Sequence, residues 1–222
     1  MDMDTITASA MKALEQQAAL AGLSFRDMMY NAGAAACKAI QRDFAGKNPL
    51  TIVFAGPGNN GGDGYIAAGL LAAMGCPVIT VQVDGGPRGE LSASQMANLQ
   101  RFRVPVSPLN GLNAIQKKFI QQADVVVDAM YGTGFRGEMS EDARQAAAMM
   151  AASQGQVWAL DLPSGVECDT GRAAEGAVKA DVTIAFHSAK PAHVTEPAAA
   201  LCGRVEVADI GIGQALQSQD AN

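Results

Sequence analysis

The spacing of apolar residues changes near residue 46 and divides the chain into two kinds of segment. Before that point, apolar residues recur every three or four positions, as on one face of a helix. The pattern predicts two helices: Gly22 ends the first, and a capping box of Ser24 and Asp27 begins the second, which runs to about Phe44. The apolar face of the first helix is formed by Met11, Leu14, Ala18 and Ala21.

From residue 50 onward, short apolar runs rich in β-branched residues alternate with helical stretches. Strands that are apolar on both faces and alternate with helices are typical of a parallel sheet covered by helices. The sequence therefore predicts an α/β fold, with the N-terminal helices packed on one face of the sheet. The predicted strands are 50–55, 78–83, 125–127, 157–160, 182–186 and 205–207. The predicted helices between them include 66–74, 92–102, 115–122 and 142–153.

Residues 65–83 carry no charge, and their length of 19 residues approaches that of a membrane span. Residues 75–77, Gly-Cys-Pro, divide this segment into an Ala- and Leu-rich half and a β-branched half. We therefore predict a buried helix followed by a buried strand. The N-terminus lacks a basic start followed by a long apolar run, so we expect no signal peptide, no membrane partner and a cytoplasmic location.

Composition and charge narrow the class of protein. Hydrophobic residues make up 49% of the chain and charged residues 17%, which excludes a disordered protein. A net charge of −6 argues against nucleic acid as a partner. The four cysteines lack the paired spacing of zinc sites, so we interpret them as buried free thiols in a reducing compartment. No repeat or long linker divides the chain, so we expect one domain over 1–222, with a helical extension over 1–46 and a flexible tail over 214–222.

A glycine-rich segment follows the first predicted strand, at the edge of the sheet where parallel folds bind their ligands. Residues 56–64 include five glycines. Glycine admits positive φ and removes side chains, so consecutive backbone N–H groups can point at one anion. The positive end of a following helix would add to this attraction. We interpret the segment as a phosphate cradle in preference to a simple tight turn.

The same glycines allow a second interpretation, because residues 56–61 match the dinucleotide-binding fingerprint G-x-G-x-x-G. Asp84, after the next strand, would then bind ribose in an NAD-dependent dehydrogenase. However, that fingerprint needs a helix that begins inside the motif, and the glycines of residues 61–64 make a poor first turn. Asp84 precedes Gly-Gly-Pro, so a turn explains it equally well. A non-catalytic scaffold is a third possibility.

Two aspartates, Asp128 and Asp161, each follow a predicted strand and precede a loop with glycine. A single aspartate in this position would indicate only a helix cap. Two such aspartates beside a phosphate cradle indicate a binding site. Carboxylate, amide and hydroxyl oxygens are the ligands of hard cations. Asn60, Asp128 and Ser164 would supply one of each, and their single charge suits a monovalent ion.

Ser164 also raises the possibility of a hydrolase. The surrounding residues 162–166 do not form a G-x-S-x-G nucleophile elbow. The two histidines, His187 and His193, have no spacing that supports a Ser–His–Asp triad. We therefore assign the histidines no role.

Four motifs occur in order along the chain. They are GNNGGDG at residues 58–64, D-x-x-x-GTG at 128–134, D-x-PSG at 161–165 and G-x-V-x-V-x-DIG at 203–211. This series resembles the YjeF N-terminal domain family of NAD(P)H-hydrate epimerases, and the resemblance covers nearly the whole chain. Residues 28–33 are similar to the family's N-terminal helix motif.

The resemblance implies a Rossmann-like three-layer αβα sandwich with a mostly parallel sheet, assembled as a homodimer. It implies an isomerase that interconverts the R and S epimers of hydrated NADH and NADPH (NADHX and NADPHX), a repair reaction for nicotinamide cofactors. The family also implies functional coupling to a dehydratase that consumes the S epimer, which this chain would meet as a separate protein.

The resemblance further implies the site residues. One potassium ion per subunit would be held by Asn60, Asp128 and Ser164, in agreement with the oxygen ligands noted above. Asp161 would contact the substrate and act as the acid or base. The other substrate contacts would be Asn59, Asn60, Gly61, Gly62, Asp63, Gly132, Thr133, Gly134, Phe135, Arg136, Gly137 and Glu138. Residues 190–192 depart from the family, which often has glycine soon after the lysine, so Lys190 is left out of the predicted site.

Overall fold

A seven-stranded parallel sheet forms the centre of this computed structural model, which describes residues 4–220. The strands are β1 Thr51–Ala55, β2 Val78–Gln82, β3 Val106–Pro108, β4 Val125–Ala129, β5 Gln156–Leu160, β6 Val182–Phe186 and β7 Arg204–Ala208. Their order across the sheet is β3-β2-β1-β4-β5-β6-β7, and every neighbouring pair is parallel.

Helices cover both faces of the sheet. They are α1 Ala8–Leu20, α2 Phe25–Asp43, α3 Asn59–Ala73, α4 Glu90–Asn98, α5 Ala114–Gln121, α6 Glu141–Ala151 and α7 Ile212–Asp220. Alternate residues of β1 belong to different apolar clusters: Val53 and Ala55 to one, Ile52 and Phe54 to the other. Helices α1, α2, α3 and α7 pack into the first cluster, α5 and α6 into the second. The three-layer α/β sandwich and the packing of the N-terminal helices on one face are therefore confirmed.

The glycine-rich segment is helical for most of its length, which corrects the sequence prediction of a loop and a helix from residue 66. Helix α3 begins at Asn59. Close packing explains why glycines are tolerated in its first turns. A Cβ at Gly61 would lie 2.0 Å from the carbonyl oxygen of Gly56, and one at Gly64 would lie 2.5 Å from Cβ of Ala129. Tertiary packing against Gly56 and against Ala129 of β4 therefore overrides the low helix propensity of glycine.

Two further elements differ from the sequence pattern. Strand β3 is not predicted, because it has three residues, ends in proline and lies at the partly exposed edge of the sheet. Helix α7 occupies residues 212–220, where the sequence predicts a flexible tail from 214, and Ala215 and Leu216 pack against the core. Residues 221–222 of that predicted tail, and residues 1–3 of the predicted extension, lie outside the described part of the chain.

The uncharged segment 65–83 forms most of α3 and all of β2, as predicted. Within residues 4–220, every helix is too short or too polar to cross a bilayer. The four cysteines are buried and free, which also agrees with the sequence. Ser24 is the N-cap of α2, as predicted. Its hydroxyl accepts a hydrogen bond from the N–H of Asp27 and donates one to the Asp27 carboxylate at 2.5 Å.

The strand order creates a crevice between β1 and β4. From β1 the chain builds the sheet in one direction through β2 and β3, then returns to β4 and builds the other half. Where two such halves diverge, the loops at the carboxyl ends of the central strands separate and leave a binding crevice. The α3 segment and the loop after β4 therefore face each other at this place.

We predict that Gly56 and Gly58 respond oppositely to alanine. A Cβ at Gly56 would lie 2.0 Å from the backbone oxygen of Met130, which cannot move without distorting the sheet edge. Gly58 has φ −91°, and a Cβ added there would meet no described atom within 4 Å, so it should accept alanine. Urea unfolding should show Gly56→Ala destabilised by at least about 2 kcal/mol and Gly58→Ala changed by less than about 1 kcal/mol. Equal free energies of unfolding in the two variants would contradict this packing.

Candidate active site at the carboxyl edge of the sheet

The Asp128 carboxylate is the most deeply buried acid of the crevice, with no exposed surface. It accepts hydrogen bonds from the Ser164 hydroxyl at 2.6 Å, from the Ser164 N–H at 2.7 Å and from the Met130 N–H at 3.2 Å. Burial raises the pKa of Asp128 to about 6, and the donors on Ser164 and Met130 oppose that rise. The loops after β4 and β5 are joined through this one carboxylate.

The peptide of Tyr131 connects Asp128 to the first glycine segment. Its N–H donates to the Ser164 hydroxyl oxygen at 2.9 Å, and its carbonyl oxygen accepts from the Asn60 amide at 3.0 Å. The structure therefore brings together Asn60, Asp128 and Ser164, the three predicted ion ligands. The Asn60 Oδ1 atom is buried and has no hydrogen-bond partner among the described residues. A buried oxygen of this kind is costly unless another group satisfies it.

The loop of residues 131–138 is braced from within. The Tyr131 and Phe135 rings stack with centroids 5.2 Å apart. The Arg136 guanidinium donates to the carbonyl oxygens of Thr133 and Phe135 at 2.9 and 2.6 Å. Phe135 is buried, whereas Arg136 is exposed at the rim. The other predicted substrate contacts of this loop are half-buried or exposed: Gly132, Thr133, Gly134, Gly137 and Glu138.

The interpretation of Asp84 as a turn residue alone is wrong. Its carboxylate accepts hydrogen bonds from the Tyr131 hydroxyl and, at 2.5 Å, from the Ser140 hydroxyl. Ser140 is the N-cap of α6. Asp84 has φ 59°, a left-handed conformation that aspartate tolerates better than most residues. It therefore ties the end of β2 to the loop after β4, and its oxygens are already engaged by protein donors.

The N-terminus of α3 presents backbone N–H groups to the crevice. Its N-cap, Gly58, supplies no side chain, so the first-turn N–H groups have no side-chain cap. Of the predicted contacts in this turn, Asn59 is exposed, whereas Asn60, Gly61, Gly62 and Asp63 are buried. The expectation that these glycines adopt positive φ is wrong: none of those in residues 56–64 does. A Cβ at Gly62 would instead lie 2.6 Å from the Met29 side chain.

Asp161 is paired with a residue that the sequence analysis left out. The Lys190 ammonium donates to Asp161 Oδ1 at 2.5 Å and to the carbonyl oxygen of Phe186 at 2.7 Å. Lys190 has no exposed surface, whereas Asp161 retains 8% exposure. Asp161 itself has φ 65° and follows β5 directly. The omission of Lys190 from the site is therefore corrected.

His193, which the sequence analysis gave no role, supports the same pair. Its Nδ1 accepts the Lys190 N–H at 2.9 Å, and its Nε2 lies 2.9 Å from the carbonyl oxygen of Asp161. Burial lowers the pKa of His193, which favours a neutral ring. Lys190 and His193 in the otherwise apolar residues 189–194 were the available signal, since such side chains are buried only when they have partners.

Asp63 is a third buried acid in the crevice, on the second turn of α3. It has 9% exposure and no hydrogen bond or ion pair to its carboxyl group among the described residues. Burial raises the pKa of Asp63 well above its usual value, and the negative charges of Asp161 and Glu15 raise it further. The carboxyl groups of Asp128 and Asp161 therefore have partners within the described residues, whereas that of Asp63 has none.

Comparisons with known proteins show the family to which the chain belongs. A sequence family described as YjeF-related protein N-terminus matches residues 26–192. An NAD(P)H-hydrate epimerase of Pirellula staleyi is 38% identical over 169 residues, which are 74% of each chain. A protein of the same description from Cenarchaeum symbiosum is 34% identical, over 83% of this chain and 85% of that one.

Longer relatives and a solved structure complete the comparison. A bifunctional NAD(P)H-hydrate repair enzyme of Archaeoglobus fulgidus is 34% identical over 97% of this chain and 43% of its own length. The chain thus spans about two fifths of such bifunctional relatives. The crystal structure of the yeast protein YNL200c superposes with a TM-score of 0.76 and 22% identity, covering 86% of this chain and 84% of that one. This likeness shows the shared fold.

We predict that Ser164 contributes measurably to stability through its two buried hydrogen bonds. Ser164→Ala leaves the Tyr131 N–H without its acceptor and removes one donor from Asp128. The free energy of unfolding should fall by about 1–3 kcal/mol, measured in urea. The control is Ser9→Ala on the exposed side of α1, which should change it by less than about 0.5 kcal/mol. Indistinguishable values for the two variants would contradict the assigned network.

Proposed function

Because this chain belongs to the family of YjeF-related N-terminal domains, we propose that it is an NAD(P)H-hydrate epimerase, which interconverts the R and S forms of hydrated NADH and NADPH. The observation that carries the proposal is the network of Asn60, Asp128 and Ser164 at the β1–β4 crevice, with Asp161 paired to Lys190 at the end of the neighbouring strand β5. The relatives of similar length that are described as epimerases support the same activity.

The proposed reaction needs acid–base chemistry and positioning. In the hydrated cofactor, the hydroxyl group sits on a carbon bonded to the ring nitrogen. The nitrogen lone pair can expel this group as water once it is protonated, which leaves a planar carbon that water can re-enter from either face. The protein must therefore hold the ring and supply a proton donor and acceptor. Asp161, at the crevice and 8% exposed, is the acid or base proposed from the sequence.

The dinucleotide part of the substrate fits the α3 N-terminus. Uncapped first-turn N–H groups and the positive end of the helix attract a pyrophosphate. The start of α3 inside the fingerprint also favours the binding of a dinucleotide in general, which is the dehydrogenase alternative. The engagement of Asp84 by Tyr131 and Ser140 argues against its use as a ribose ligand. A dinucleotide substrate, rather than a redox cofactor, accounts for both observations.

We also propose one potassium ion per subunit, held by Asn60, Asp128 and Ser164. The donor set fits, because amide, carboxylate and hydroxyl oxygens are present with a single formal charge. The unpartnered Oδ1 of Asn60 is a buried oxygen that a cation would satisfy. When bound, the ion would supply positive charge that fixes these oxygens. Asn60 and Ser164 would meanwhile hold the Tyr131 peptide, and with it the substrate loop.

The proposed partners follow from the reaction and the relatives. We propose a homodimer and cooperation with an NAD(P)H-hydrate dehydratase activity. The bifunctional names of the longer relatives support coupling to a second repair activity. Four buried free thiols support action in a reducing compartment such as the cytoplasm.

The activity is tested by incubating resolved R epimer of hydrated NADH with the protein and following both epimers by chromatography. We expect equilibration that is faster than the spontaneous reaction. Asp161→Asn, which keeps the size and removes ionisation, should slow it about 10²–10⁴-fold. Asp43→Asn is the matched control, because Asp43 pairs with Arg204 at the opposite edge of the sheet. No acceleration by the wild-type protein, or equal rates in the two variants, would contradict the proposal.

A further inference from the structure

We propose that Asp63 and Asp161 form an unlike carboxyl pair, in which Asp63 delivers the proton that leaves with the hydroxyl group and Asp161 accepts the proton of the incoming water. Lys190 is the positioning residue that holds the Asp161 carboxyl group in place. This inference rests on the proposed epimerase function and assigns two residues, Asp63 and Lys190, that the reaction proposed above does not use.

The surroundings of the two carboxyl groups are opposite. The Lys190 ammonium lies 2.5 Å from Asp161 Oδ1. Asp63 has no hydrogen-bond donor or cation at its carboxyl group among the described residues, and burial favours the neutral acid. Two carboxyl groups in such different environments are the usual basis for separate acid and base roles.

Exposure separates the groups that can touch a substrate from those that cannot. Asp63 and Asp161 keep 9% and 8% exposure, whereas Asp128 and Lys190 have none. Asp63 lies on α3 and Asp161 follows β5, so the two carboxyl groups approach the crevice from different elements. Inversion at one carbon requires proton transfer to the departing oxygen on one face and from the arriving water on the other.

Other titratable groups around the pair do not replace either member. The pKa of His193 is lowered and that of Cys168 is raised to about 12, so both side chains are neutral near pH 7. The pKa of Glu15 is raised by burial first, and its charge acts on Asp63 from α1. The neighbouring groups are Lys12, Glu15, Cys168, His187, Lys190 and His193.

The proposed step conserves protons and electrons. The Asp63 acid protonates the hydroxyl group, the C–O bond breaks with its electron pair on the departing water, and the ring nitrogen forms C=N. A water then bonds to this carbon from the other face, the C=N electrons return to nitrogen, and Asp161 takes the proton. One proton has moved from Asp63 to Asp161, and it returns through solvent before the next turnover. No oxidant or further reactant is needed.

The test is the pH profile of kcat/KM for the resolved R epimer of hydrated NADH. In the wild type we expect an alkaline limb from Asp63. Asp63→Asn should lower the rate about 10²–10⁴-fold and remove that limb. Lys190→Met should lower kcat and leave KM nearly unchanged, because Asp161 loses the contact that positions it. A lysine that only supports the fold would lower the free energy of unfolding without this selective loss of kcat.

The matched control is Glu15→Gln, a carboxyl-to-amide change beside the same pair. It should keep the alkaline limb, at slightly lower pH because one negative charge near Asp63 is lost. An alkaline limb that persists in Asp63→Asn, or an unchanged kcat in folded Lys190→Met, would overturn the proposal. If Lys190→Met does not fold, the pH profile of kcat/KM for Asp63→Asn tests the proposal on its own.

An infrared measurement separates this proposal from the proposed function. At pH 8, the wild-type protein should show a carboxylic-acid C=O stretch that Asp63→Asn removes and Asp161→Asn retains. Absence of that band overturns the unlike pair even if the protein is an epimerase. If the wild type does not accelerate epimerisation, the proposed function fails, and the same band still shows whether Asp63 holds its proton.

Discussion

The geometry of the crevice depends on the two hydrogen bonds made by the peptide group of Tyr131. Its N–H is held by Ser164 from the loop after β5, and its carbonyl oxygen is held by Asn60 from the first turn of α3. Asp128 anchors Ser164 through both of its carboxylate oxygens. Three strand ends are thereby locked together through one peptide, and the substrate loop that begins at Tyr131 takes its position from them.

This arrangement also explains where the packing is tightest. There is no room for a Cβ at Gly56 or Gly61, because backbone oxygens of Met130 and Gly56 already fill those places. This close approach of α3 to the end of β1 and to the loop after β4 brings the Asn60 amide within hydrogen-bond distance of the Tyr131 carbonyl oxygen. The glycines thus serve the site by permitting contact between two backbones, and the uncapped helix end that results is available to an anion.

All strands but β3 and most of the helices could be predicted because their apolar residues follow simple periods. That Asn60, Asp128 and Ser164 lie close together could also be predicted, since each follows a strand at the same sheet edge. The helical form of the glycine segment could not be predicted, because it depends on contacts with Ala129 and Met29 that are distant in sequence. Lys190 was left out of the predicted site because residues 190–192 depart from the family, and the sequence alone does not show its contact with Asp161, 29 residues away.

The most direct test of the proposed ion site is a crystal structure of the protein grown with rubidium in place of potassium, with anomalous scattering measured at the rubidium edge. We predict a peak coordinated by Asn60 Oδ1 and the Asp128 and Ser164 oxygens, because this buried amide oxygen lacks a partner among the described residues. Rubidium bound elsewhere, with a hydrogen-bond donor on Asn60 Oδ1 and no peak at this place, would contradict the claim that these residues form the ion site of the crevice.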